Sequence, residues 1–248
     1  MQWTGFRSGN PRQEKNKNYD EQVKGFTDFF TEAKAYAQKK NKATGNGVTN
    51  LKFEAARGLF DGSKKLYIHT NRAKAITEAV LFGQKMGIPI VLVGAADCWM
   101  LTDLLKTNKV PVILGKTQSL PSRDDDDIDQ PFKTAAALEA AGVLFSFSEE
   151  GGWAQRNLSF QAGQAVGFGL SYEAAIKAIT LNTAQILGID KTVGSLESGK
   201  DATLFICDGD ALDMRTCKVR QAFIQGKEID LNNKQKALYQ KFKAKYQK

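Results

Sequence analysis

The sequence predicts an α/β protein built from about four strand–helix units around a parallel sheet. Three observations predict it. Short apolar runs alternate with stretches of helical periodicity at a regular spacing. The runs are continuously apolar rather than alternating, as strands covered on both faces must be. Several of the helical stretches close on a glycine, the residue that most readily takes the left-handed conformation ending a helix.

Taken in order, residues 1–22 are polar and rich in Asn, Lys and Gln and read as a loop or arm. Residues 24–40 carry Phe26, Phe29, Phe30, Ala33 and Ala37 at helical spacing, which predicts an amphipathic helix. Residues 43–49 contain Gly45, Asn46 and Gly47 and read as a flexible link. The first apolar run is Leu66–His69, followed by a helical pattern over Arg72–Met86 closed by Gly87. Ile88–Val93 is the second run, with a helix over Asp97–Lys106; Val110–Leu114 is the third. An acidic loop spans 124–129, then a helix over Phe132–Ala141 ends at Gly142. Val143–Phe147 is the fourth run, followed by a Gly-rich loop and a helix over Leu158–Gly167. Two more helical pieces follow, Tyr172–Thr180 and Ala184–Leu187, the latter ending at Gly188. Beyond Val193 the texture turns β-rich, with runs at Thr203–Cys207 and Val219–Ile224 and a hairpin turn at Gln225-Gly226-Lys227. Residues 232–247 form a basic helix with Leu238, Phe242 and Tyr246 on one stripe. The expected division is 1–50 for the arm and first helix, 51–190 for the strand–helix units, 191–231 for a small β appendix and 232–248 for the terminal helix.

The 248 residues are 42% hydrophobic, 25% charged and 10% aromatic, an ordinary globular composition that excludes collagen, coiled coil and wholesale disorder. No run approaches the length of a membrane helix and the opening residues have no apolar signal core, so membrane insertion is not expected and a cytoplasmic location is the default, although a preceding segment could carry a signal. The net charge of +8 sits at the ends: residues 1–50 hold nine basic and five acidic groups, and residues 231–248 six Lys and no acid. The aromatic and Arg interleaving of nucleic-acid sites is missing, so these read as solvated helix faces and no nucleic acid is expected. Three cysteines, Cys98, Cys207 and Cys217, stand at no metal spacing and read as reduced, partly buried thiols; His69 alone excludes a His-rich metal centre built from this chain.

Several short patterns have bland readings that outweigh their functional ones. The stretch from Gly194 to Lys200 fits most of a phosphate loop, but Asp201 replaces the final Ser/Thr and a β run follows where a helix is needed. Asp124–Asp127 with Asp129 lacks the Gly and Glu of a calcium loop and reads as a solvated acidic loop. A Cys98–His69 thiol–imidazole pair has nothing else to support it. Two places fit chemistry by position, because α/β barrels act at the C-terminal ends of their strands. His69 ends the first run, and Glu149 and Glu150 follow the fourth. Each has a structural alternative: a hydrogen-bonded histidine, or a loop carboxylate near a helix N-terminus.

The segments Ala178–Asp190 and Val193–Asp210 resemble the C-terminal signature of the amidohydrolase superfamily, nearest its imidazolonepropionase-like and prolidase-like branch. The Leu66–Ala73 block, the Leu120-Pro-Ser-Arg loop, Ala141-Gly-Val143 and Phe223-Ile-Gln-Gly-Lys227 fit the same branch. The resemblance implies a TIM-like (β/α)8 barrel beside a small β-sandwich. It also implies hydrolysis of amide, cyclic amide and related C–N bonds by water activated on one or two divalent metals, usually zinc. It places this chain as the C-terminal half of such a barrel with a remnant of the sandwich. The family's metal-binding His of strand five falls at Asn71, with His69 two residues earlier, and that of strand six at Gly94. The Asp after strand eight, ligand and proton carrier, falls at Glu150, or at Glu149 with a one-residue shift. Asn71 and Gly94 cannot replace imidazoles, so no metal cofactor and no activity are expected of this chain alone. The expected pocket is His69, Asn71, Gly94, Asp97 and Glu149 with Glu150. A non-catalytic binding or scaffold protein is the alternative. The expected partners are an amide-like small molecule and either a missing N-terminal half or a second copy, because the strands near Leu66 and Phe145 would each present an unpaired edge.

Overall fold

A computed structural model describes residues 1, 3, 18–42, 49–121 and 123–246. Four parallel strands lie side by side in chain order: β1 (Leu66–Thr70), β2 (Ile90–Gly94), β3 (Val112–Leu114) and β4 (Phe145–Phe147). The registers align Thr70 with Gly94, Gly94 with Leu114, and Leu114 with Phe147, so the C-terminal tips form one rim.

Ile68, Ile90, Leu92, Val112, Leu114, Phe145 and Phe147 bury their side chains in one core with the helices. Those helices are α3 (Ala73–Met86), α4 (Thr102–Thr107), α5 (Gln130–Ala141), α6 (Leu158–Val166) and α7 (Tyr172–Ile179). Alanines at 75, 79, 135, 162, 165, 175 and 178 let the helices approach the sheet closely. Gly87 and Gly142 close α3 and α5 in left-handed geometry. The predicted helix over 97–106 is a 3-10 turn at Cys98–Leu101 leading into the shorter α4.

At the opposite rim lies α8 (Leu181–Leu187). Lys65 Nζ and the Tyr67 hydroxyl donate to Ile186 O at 2.8 and 3.1 Å, and Asn182 Nδ2 donates to Phe145 O at 3.0 Å. Ile186 is fully buried.

Three expectations are corrected. The first helix, α1 (Tyr19–Lys42), starts earlier than position 24, and the sequence pattern did not show α2 (Leu51–Ala56). The outer edge of β1 is not bare: His69 N donates to Met1 O at 2.8 Å and Trp3 N to His69 O at 2.9 Å. Trp3 is then buried against Phe26 and Phe82, at ring separations of 6.3 and 5.4 Å, which joins α1, α3 and β1. Positions 2 and 4–17 of the arm, and 43–48 of the link, lie outside the described residues.

The β-rich region is a three-stranded antiparallel sheet of β5 (Leu204–Asp208), β6 (Lys218–Ile224) and β7 (Lys227–Glu228). Its connecting loop inserts Leu212 into the main core. Gly163 of α6 faces the Leu212 carbonyl so closely that any side chain there would collide with it. The chain continues into α9 (Lys234–Tyr246), on which Leu238, Phe242 and Tyr246 are exposed.

Candidate active site

The aligned strand tips open onto a cleft of about 730 Å³. His69, Asn71, Gly94, Glu149 and Glu150 all line it, so five residues chosen from sequence converge on one site. Arg72 and Lys116 add cationic groups to the same wall.

Glu149 is positioned by a chain of hydrogen bonds. Ser148 ties the end of β4 to β3, donating from both its backbone N and its Oγ to Leu114 O at 2.8 and 2.9 Å. Gln161 of α6 then donates from Nε2 to a Glu149 carboxylate oxygen at 2.9 Å. Its Oε1 accepts from Thr117 N at 2.9 Å, Gln118 N at 3.0 Å and the Thr117 hydroxyl at 2.6 Å. Gln161 and Thr117 are 4% and 2% exposed, so the centre of this polar cluster is buried and its groups depend on one another for hydrogen bonds. Glu149 is half-buried and Glu150 exposed, which makes Glu149 the carboxylate the fold holds in place. Sequence reasoning missed Gln161; a glutamine among the apolar residues of α6 was the available signal.

Asp97 does not line the cleft. Its carboxylate, 1% exposed, lies behind the wall and accepts from Ala73 N at 3.0 Å, capping α3. The acidic loop is less solvated than its composition predicts. Arg123 Nη2 meets Asp126 at 2.6 Å and Nη1 lies 4.0 Å from Asp97, and the Asp126 side chain is almost fully buried. The hydrogen bond that Arg123 donates to Asp126, with the charge of Asp97 behind it, holds the guanidinium pKa above its ordinary value. Cys98 is fully buried, and burial, reinforced by neighbouring Asp97, pushes its thiol up to about 12. That thiol is inert at neutral pH, which removes it as a nucleophile.

Two backbone features shape the centre of the cleft. Gly94 and Ala95 both have positive φ, 85° and 48°. The Asn71 amide oxygen sits 2.5 Å from where a side chain on Gly94 would begin. Gly94 is therefore required both by its backbone conformation and by the close approach of Asn71. Among the described residues no group of three or more His, Cys, Asp or Glu converges as a metal site would require.

A four-stranded parallel sheet with outer helices is consistent with part of a TIM-like barrel. The profile of the amidohydrolase family matches residues 54–229, and the chain belongs to that family. It is similar to the crystal structure of an amidohydrolase from Thermotoga maritima MSB8, with 27% identity and a TM-score of 0.72 over 82% of this chain and 54% of that one. A putative prolidase from Bifidobacterium longum (18%, TM-score 0.54, 81% of this chain and 59% of that one) shares the fold. So does a Xaa-Pro dipeptidase crystallised with methionine in its active site (18%, TM-score 0.53, 71% and 47%). The chain spans about half the length of these structures. No curated protein matches the sequence. Among the described residues no helix is long and apolar enough to cross a membrane.

Proposed function

We propose that this chain supplies the substrate pocket and the proton-transferring carboxylate of a hydrolase acting on non-peptide C–N bonds of small amides or cyclic amides. The observation that carries the reading is Glu149, fixed by Gln161 at the rim of the cleft beside Asn71 and His69. A carboxylate held this way accepts a proton from an attacking water and returns it to the leaving nitrogen. Asn71 offers both a donor and an acceptor to an amide group, and Arg72 and Lys116 favour a substrate bearing a carboxylate. Membership of a family of hydrolases, and the similarity to the Thermotoga maritima amidohydrolase, favour this over a non-catalytic scaffold.

The chain's own groups bind and orient a substrate and carry the proton of the attacking water, but they supply no metal to polarise that water. By itself it is inactive. We read residues 51–190 as half of a TIM-like barrel and 191–231 as a remnant of the family's β-sandwich. Donors for a metal would come from a partner, either an N-terminal barrel half or a second copy. Calorimetry with a panel of small N-acyl and cyclic amides tests the pocket, with an assay for hydrolysis in parallel. Binding that weakens about tenfold or more in Asn71→Ala, without turnover, is expected. Turnover by the chain alone, or no binding by any member of the panel, would overturn the reading.

A further inference from the structure

We propose that Asp126 is a specificity-determining residue of the cleft and receives a protonated amine on the substrate. The proposal rests on the reading of the cleft as a site for small amides and narrows it. With Arg72 and Lys116 favouring a carboxylate, the substrate class becomes amides of amino acids, which carry an ammonium as well as a carboxylate group.

Asp126 lies on the loop between β3 and α5, three residues after Arg123. Asp126 N donates to Arg123 O at 3.3 Å, and the turn so made brings the two side chains together. Arg123 Nε and Nη2 donate to the same carboxylate oxygen, at 3.0 and 2.6 Å. The other oxygen has no hydrogen-bond partner among the described residues. Yet the Asp126 side chain is only 5% exposed, and the residue lines the cleft. A carboxylate oxygen taken so far out of water is unfavourable without a donor. The cleft is the space from which a donor reaches it.

Charge points the same way. The Arg123 guanidinium is shared, with Asp125 at 3.6 Å and Asp97 at 4.0 Å. Asp97 is 1% exposed, and its Oδ1 is buried with no partner. Lys133 is taken up by Asp127 and Asp129, at 3.4 and 2.7 Å. Among the described residues no cation besides Arg123 comes within ion-pair distance of Asp126. One guanidinium thus answers three carboxylates, and this wall of the cleft keeps an excess of negative charge that a ligand cation balances. An ammonium is the compact donor that suits a single free oxygen. The acceptor is also held in place beforehand, because the guanidinium that grips it rests 3.7 Å from Met100 Sδ, so little ordering is left to the binding step.

The test is an NMR titration of the full chain at neutral pH with matched amides that differ only in the amine: asparagine against succinamic acid, glutamine against glutaramic acid, and β-alaninamide against butanamide. In at least one pair the amine-bearing member should bind about tenfold tighter or more. Asp126→Asn keeps an oxygen for Arg123 and turns an amide NH2 towards the cleft. It should abolish that preference and leave the affinity for the amine-free members nearly unchanged, whereas a role confined to bracing the loop would weaken both members of a pair alike. Should the variant fail to fold, the unaltered chain decides: backbone amide resonances of residues 123–127 should shift with the amine-bearing member and not with its counterpart. No preference for the amine in any pair, a preference that persists in Asp126→Asn, or equal loss for both members would each overturn the proposal and leave the amide site standing. No binding by any of these amides would overturn that site and this inference with it.

Discussion

Gln161 donates to the carboxylate of Glu149 from one end of its amide while the other end accepts from the loop after β3. One buried side chain on α6 thus fixes two neighbouring strand-tip loops against each other. Replacing it with Leu leaves Thr117 N and Gln118 N without an acceptor and frees Glu149. The expected cost is about 1–3 kcal/mol, read from a denaturant melt. Gln161→Glu keeps the shape but sets a second carboxylate against Glu149. Its stability should fall further as pH rises through the carboxylate range, whereas the Leu variant should show no such added pH dependence.

Gly94 and Asn71 should behave as a coupled pair. Gly94→Ala forces a side chain into a left-handed backbone and against the Asn71 amide oxygen. A loss of about 1–3 kcal/mol is expected. Adding Asn71→Ala should recover the steric part and leave the conformational part. A double-mutant cycle measures that coupling, and strict additivity would show that the two residues do not meet.

Cys98 gives the fold an alkaline limit. Its thiol is raised to about 12 in the folded state, against an ordinary value of 9. Because the folded form holds the proton more tightly, this contribution is complete below pH 9. Between pH 9 and 12 the unfolded state ionises first, and stability falls by roughly 1.4 kcal/mol per pH unit. Cys98→Ala should remove that slope at the expense of a small cavity. Chemical denaturation at several alkaline pH values measures it.

Trp3 should matter out of proportion to its position in the chain. It is buried between Phe26 and Phe82, and its backbone closes onto His69. Trp3→Ala should destabilise by about 3–5 kcal/mol and release α1 from α3. Loss of hydrogen-exchange protection in α1 and at the β1 edge would report it.

Much of the fold was legible because its signals are local. Apolar runs such as Ile90–Leu92 and the glycines at 87 and 142 mark strands and helix ends wherever they occur. The site was legible to the extent that strand tips are predictable, hence His69, Asn71 and Glu149 in one cleft. What could not be read depends on contacts distant in sequence. Gln161 finds Thr117 across 44 residues and Glu149 across 12. Asp97 turns away from the cleft because Ala73 N, 24 residues earlier, needs a cap. Arg123 draws Asp126 out of solvent, which the run of aspartates alone does not reveal. The resemblance puts the carboxylate at Glu150, or at Glu149 with a one-residue shift, and the sequence does not reveal that Gln161 of α6 hydrogen-bonds Glu149.

The two rims of the sheet are held by different means. At one, Lys65, Tyr67 and Asn182 grip backbone carbonyls of Ile186 and Phe145 and leave their side chains committed to the fold. At the other, loops carry the groups of the cleft and are tied down chiefly through Gln161, Ser148 and Asp97. The lining of the cleft can therefore vary at residues such as Arg72 or Lys116 while the far rim keeps the chain folded. A library randomised at the cleft should retain far more folded members than one randomised around α8, so the architecture separates the capacity to change from the capacity to persist.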